Sequence, residues 1–158
     1  MVRRIFASAV SVVLFAGCAA NIRSDATPGD VTAALGSPKE IYKLKDGSSS
    51  WEYPTSPLGL TTTLVRFDSK GKLLYVSQVL TDENFHRIQN GISEEAVRAT
   101  IGPPWRKMPF ERLQQTAWDY LYRDTWGYRV EFSVMFNAAG EVVGKSARRL
   151  DDSRNDSR

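Results

Sequence analysis

The chain has 158 residues and a hydrophobic content of 42%, enough apolar material for one compact domain or two small, closely packed ones. Its 21 Lys and Arg against 18 Asp and Glu leave a formal charge of +3, two of those cations being Arg3 and Arg4 at the N-terminus. The other charges of both signs are interspersed, without the basic stripe that nucleic acid requires, which excludes nucleic acid as a partner. A single cysteine excludes an intramolecular disulfide.

Met1-Val2-Arg3-Arg4 and the uncharged run from Ile5 to Gly17 have the layout of a secretory signal peptide, 1–17. A spanning helix needs roughly 20 apolar residues, and Asn21 and Arg23 end this run early. Leu14-Phe15-Ala16-Gly17-Cys18 resembles the lipobox of bacterial lipoproteins, with Phe15 where leucine is commoner. The resemblance implies cleavage before Cys18 and acylation of its thiol and new amino group. Each buried CH₂ contributes about 0.8 kcal/mol, and stable anchoring takes two or more chains. Ala19 stands where retention at the inner membrane typically uses Asp. The expected location is therefore the periplasmic face of the outer membrane, with 18–25 as a lipidated tether.

Thr27 to Pro38 then reads as a short capped helix. Thr27 caps, Pro28 takes the first helical position, Asp30 completes a capping box, and Gly36 followed by Pro38 stops the helix. The same text returns at Gly91 to Pro104. There Ser93 caps, Glu94 and Glu95 occupy the first turn, Val97, Thr100 and Ile101 form an apolar face, and Gly102 ends it. The echo continues downstream. Trp51-Glu52-Tyr53 returns as Trp118-Asp119-Tyr120, and Val65-Arg66-Phe67 with Gly71 as Val134-Met135-Phe136 with Gly140. Slowly growing offsets of this kind are what loop insertions produce between two copies of one unit.

Within the first unit, 26–81, Glu40 to Lys45 alternates into the Asp46-Gly47 turn, a hairpin signal. Ser49 to Tyr53 answers it. The β-branched stretch from Leu60 to Phe67 and the run from Lys72 to Val79 add two further strands. In the second unit, 82–150, a short helix over Asp82 to Gln89 precedes the repeated one. Thr116 to Arg123 follows with Trp118, Tyr120 and Tyr122 on one face. Next come a turn at Asp124 to Gly127, a strand filled by Tyr128, Val130, Phe132, Val134 and Phe136, and a last strand from Glu141 to Arg149. The expectation is α+β: two tandem helix-plus-antiparallel-meander units, with helices on one sheet face. The charged tail 151–158 has nothing to bury.

A helix ending in Leu/Ile-Gly-x-Pro, then Trp-x-Tyr, then a Val-x-Phe strand and a glycine turn, resembles the SmpA/OmlA, or BamE-like, outer-membrane lipoproteins. The second copy carries the fuller match, with Gly91-Ile92-Ser93 where the family has Gly-Met-Thr; the first lacks that start. The resemblance implies an accessory subunit of the outer-membrane β-barrel assembly machine. The family typically has one such unit. Tandem units instead resemble β-lactamase inhibitor proteins, which present a concave sheet to a protein partner.

Residue chemistry gives no catalytic set. His86 is the only histidine, and no phosphate-cradling glycine loop or metal-ligand spacing is present. Asp119 and Asp124, beside aromatics, read as a solvated edge. The expectation is a non-enzyme without cofactor or metal. Trp105, Trp126 and Tyr128 are the candidate partner-binding residues, since exposed Trp and Tyr anchor interfaces. Trp126 falls in a predicted turn, where it either folds back on its own sheet, the more ordinary outcome, or meets a partner. Three functions remain open: an accessory of envelope assembly, an inhibitor-like or sensing lipoprotein that binds a soluble periplasmic protein, and a small-ligand or peptidoglycan-binding module.

Overall fold

The computed structural model describes residues 22–55 and 59–150. The expected leader, Cys18 and the charged tail lie outside the described residues. Helix α1, Pro28–Leu35, starts where the Thr27 hydroxyl accepts from the Asp30 amide, while the Asp30 carboxylate accepts from the Thr27 amide at 2.8 Å. It stops at Gly36, whose φ of 80° is the left-handed region that suits glycine. Strands β1 (Glu40–Lys43), β2 (Ser49–Pro54), β3 (Thr62–Phe67) and β4 (Leu73–Gln78) follow as an antiparallel meander in chain order.

The second unit repeats the plan with one addition. Helix α2, Asp82–His86, is capped by Thr81. Helix α3, Glu94–Ile101, is capped by Ser93 and ended by Gly102 at φ 76°. Strands β5 (Arg106–Phe110), β6 (Gln115–Arg123), β7 (Arg129–Phe136) and β8 (Val142–Arg149) form a second meander. The fold is α+β with two antiparallel four-stranded sheets, as the sequence predicts. Strand β5 was not legible there. Its Arg-Lys-Met-Pro-Phe text neither alternates nor favours a sheet, and Pro109 is tolerated because the strand is an edge with all five residues exposed.

The recurring residues turn out to be one packing device used twice. The Tyr53 hydroxyl donates to the Gly36 carbonyl at 3.2 Å, and the Tyr120 hydroxyl to the Gly102 carbonyl at the same distance. Each bond satisfies a carbonyl that the end of the helix leaves without a partner. Trp51 lies 5.0 Å from Phe67 with rings inclined at 59°, and Trp118 lies 4.8 Å from Phe136 at 53°. Both sheets also carry an irregularity just before that phenylalanine. The Gly, Trp-x-Tyr and Val-x-Phe elements of the repeat are therefore the parts that dock a helix end onto its sheet.

The two cores differ in how they are closed. Helix α1 packs Val31 against Val65, Phe67 and Leu73 on one face of the first sheet. In the second unit α2, the segment just after it and α3 bring Phe85, Ile88, Val97 and Ile101 onto Trp118, Tyr120, Phe132, Val134 and Phe136. The expectation of helices on one sheet face fails for the first sheet. Its opposite face, with Glu52, Thr62 and Leu64, is buried as well. A Cβ at Gly102 would lie 3.1 Å from Thr62 and 3.5 Å from Leu64, so the end of α3 presses on that face. Helix α3 thus stands between the sheets and joins the units. Adjacent buried residues in β3, Leu64 and Val65, are what a strand covered on both faces produces.

Candidate protein-interaction surface

The turn between β6 and β7 is built around Asp124. One of its carboxylate oxygens accepts from the amides of Trp126 and Tyr128, both at 2.9 Å, and Gly127 follows at φ 84°. The same construction occurs at Asp68, which accepts from Lys70 and Lys72, and at Asn137, which accepts from Ala139 and Glu141. Those turns present Lys70 and Ala139 at the tip. Here the equivalent position is Trp126, which is 79% exposed. The expectation that it folds back is corrected. The side-chain bonds that set this turn hold its tip off the sheet, and the inward positions below are already filled by Val130 and Phe132. An indole left in water forgoes several kcal/mol of burial, on the order of 25 cal/mol for each Å².

Tyr128 is also exposed, at 57%, and the Arg149 guanidinium lies 4.6 Å from its ring. Arg149 in turn pairs with the second Asp124 oxygen at 2.9 Å. Burial raises the Asp124 pKa. The two turn amides and Arg149 outweigh that effect, so the carboxyl stays below the usual range and ionised. Asp124 is thus a structural turn residue rather than part of a solvated edge. Below the hairpin, the Tyr122 hydroxyl donates to Asp82 at 2.7 Å, and burial, then that carboxylate, push the phenol's pKa well up. The neutral phenol ties β6 to α2.

Trp105, the third candidate, is elsewhere. It is half-exposed at the start of β5, with the Arg106 guanidinium 4.7 Å from its ring. It borders a cavity of about 260 Å³ between the units, lined also by Lys39, Pro54, Pro103 and Leu121. The structure therefore brings Trp126 and Tyr128 together on one hairpin and sets Trp105 apart from them.

Two buried acids escaped the sequence. Glu52 is 1% exposed, and both its oxygens accept from Arg98 of α3, at 2.8 and 2.9 Å. Arg98 also reaches Glu40 at 2.7 Å and lies over the Tyr42 ring at 4.3 Å. The hydrogen bonds that Arg98 donates to Glu52, then to Glu40, outweigh burial and push its pKa further above its already high value. Asp119, at the equivalent place in the second unit, is 3% exposed and held by Arg106 and Ser133 at 2.7 and 2.6 Å. That corrects its reading as a solvated edge. The available signal was the position of both acids between two inward aromatics in Trp-x-Tyr, which puts them on the opposite sheet face. Nothing in the local text says that this face is covered.

Among the described residues no three His, Cys, Asp or Glu side chains come together to hold a metal ion. His86 lies at the surface, its Nδ1 within 2.6 Å of the Asp82 carbonyl oxygen. No described helix is long and apolar enough to cross a membrane. The geometry available for function is an exposed aromatic hairpin on a firmly braced sheet.

Residues 77–146 match the family described as the outer membrane protein assembly factor BamE domain. That match falls mainly on the second unit, the one whose motifs carry the fuller resemblance. No curated protein sequence matches the chain significantly. Among solved structures, a DUF4309 family protein, YjgB, from Bacillus subtilis is similar over 78% of each chain, with 14% identity and a TM-score of 0.30. A putative β-lactamase inhibitor protein from Streptococcus mutans is similar over 79% of this chain and 83% of its own, with 10% identity and a TM-score of 0.30. An extracellular protein containing a SCP domain, from Bacillus anthracis, is similar over 81% of this chain and 44% of its own, at 15% identity and the same TM-score. Likeness at this level carries no argument about function.

Proposed function

We propose that this protein is a lipid-anchored periplasmic interaction module at the outer membrane, an accessory of outer-membrane protein assembly or envelope integrity. Acylated Cys18 holds it to the membrane, and the BamE-like unit engages a protein partner, with the barrel-assembly machine as the leading candidate. The observation that carries this reading is Trp126, 79% exposed at the tip of a hydrogen-bonded hairpin within the segment that matches the BamE family. A large aromatic left in water on a fixed turn backbone has little to do for the stability of its own sheet and suits an interface anchor.

The test is affinity purification of the tagged chain from its native envelope, with Cys18→Ala and Trp126→Ala as comparisons. Barrel-assembly subunits should accompany the lipidated chain and fall away in both variants. Recovery of one soluble periplasmic protein, regardless of lipidation, would move the function to an inhibitor-like or sensing binder. The small-ligand or peptidoglycan alternative has one observation behind it, the cavity of about 260 Å³ beside Trp105. The most exposed aromatic, Trp126, is not among the residues that line it, so protein binding is preferred.

A further inference from the structure

Strand β8 ends the second sheet, with only β7 beside it among the described strands. Gly91 and Ile92 cover its outer edge at Val142 alone, through bonds of 2.8 and 2.9 Å. Further along, the Leu150 amide donates to Arg129 on β7. By the alternation of an antiparallel ladder, the peptide groups of Arg149, Ala147 and Lys145 point the other way, to the open edge. Long free edges are normally blunted. The opposite edge of the same sheet carries Pro109 in β5; β8 has no proline and is guarded instead by a bulge after Val142 and by its cations, which leave its edge amides unblocked.

A groove runs beside this edge. Two adjoining cavities of about 330 and 320 Å³ share Asp82, Tyr122 and Ala147, the first floored by Phe85 and Phe132 and the second by Val130, with Trp126 on its wall. Among the described residues the first unit has no counterpart of α2, the helix that forms one side of this groove. The inward residues of β8, Lys145, Ala147 and Arg149, pair with Val134, Phe132 and Val130. A strand laid beside them would direct every second side chain into the groove.

We infer that the free edge of β8 and its groove accept one extended segment of a partner protein by β-strand addition. The segment is apolar at alternate positions, where it enters the groove, and acidic on its other face. Main-chain bonds to a sheet edge supply affinity and pockets for alternate side chains supply specificity. The acidic character follows from charge. On that other face β8 presents Arg148, exposed beside Glu131, while Lys145 and Arg149 lie on the groove face, held by the carbonyls of Phe85, His86 and Ile88 and by Asp124; Val142–Arg149 holds no acid. A second copy docked edge to edge would oppose like charges, which is unfavourable for cross-strand neighbours. The inference rests on the protein-binding reading but not on which complex is bound.

The probe is a fluorescent eight-residue peptide, the length of β8, alternating apolar with acidic and threonine residues; a shuffled peptide of the same composition is the control. Binding should slow hydrogen exchange at the amides of Lys145, Ala147 and Arg149 in the wild-type chain. Ala147→Pro removes a donor from the open edge while sparing the β7 ladder. It should weaken binding about tenfold, the equivalent of one or two hydrogen bonds. Unchanged exchange at these amides, or equal binding of the shuffled peptide, overturns the inference. So does protection that grows with protein concentration without peptide, since the occupant is then a second copy. If the Ala147→Pro chain, folded by circular dichroism, still captures its envelope partners as the wild type does, this inference fails while the proposed function stands.

Discussion

Arg98→Ala is the most informative single perturbation of the fold. The Glu52 carboxylate is 1% exposed and both its oxygens are held by that one guanidinium, 46 positions away in the chain. Truncation leaves a buried carboxylate without its cation, a change that typically costs about 3–5 kcal/mol. The Arg98 side chain keeps 18% of its surface in water, so solvent can enter behind the truncated residue and the lower figure, about 3 kcal/mol, is expected. In a Glu52→Gln background no charge is stranded, and the same truncation should cost only about 1 kcal/mol, the worth of an ordinary hydrogen bond. The coupling across the cycle is then about 2 kcal/mol. Urea denaturation followed by far-ultraviolet circular dichroism measures all four chains. A loss under about 1 kcal/mol for Arg98→Ala, or additive single effects, would refute the claim that α3 is locked onto the first sheet through this pair.

Other outcomes follow from the same coordinates. Gly102→Ala combines a φ of 76° with a Cβ only 3.1 Å from Thr62, whereas Gly36→Ala at φ 80° meets nothing within 4 Å. The second should cost about 1–3 kcal/mol for a positive-φ, extended-ψ backbone that essentially only glycine adopts, and the first measurably more; equal losses in thermal denaturation would contradict the contact between α3 and the first sheet. Trp126→Ala should shift stability by no more than about 0.5 kcal/mol, as surface substitutions do, while weakening partner binding by about 2 kcal/mol or more if it is a hot spot; calorimetry on the free chain and titration of the partner separate the two. Glu95 is held below the usual carboxylate range by the Lys45 amide first, and Asp30 by the Thr27 amide first. Such acids contribute stability that is fully present above their unfolded values, near about 4, and is lost as pH falls through the lower folded ones. The urea midpoint should therefore be flat near neutrality and fall below about pH 4; a midpoint that rises there would reverse the sign assigned to these bonds.

The sequence by itself determined whatever depends on a few neighbouring residues. The capping box at Thr27 and Asp30, the glycine stops at Gly36 and Gly102, the turns at Asp68, Asp124 and Asn137, and the inward faces of β6 and β7 are local chemistry with local signatures. Their recurrence in order also made the two-unit plan legible. What only the tertiary structure decided is what lies on the far side of each element. An alternating strand shows which residues share a face but not whether that face meets water, so Asp119 reads as a solvated edge and Glu52 gives no sign of burial, yet both are buried. The edge strand β5 carries no sheet-forming text because its neighbour β6 supplies the pairing. Trp126 has the composition of a core residue and the address of a turn tip, and the carboxylate of Asp124 settles the matter by fixing the backbone that carries it. Contacts between residues far apart in the chain, above all Arg98 on Glu52, are set by how α3 is wedged between the two sheets. That placement depends on which apolar surfaces cover one another between distant parts of the chain, a sum to which no short stretch of sequence gives access.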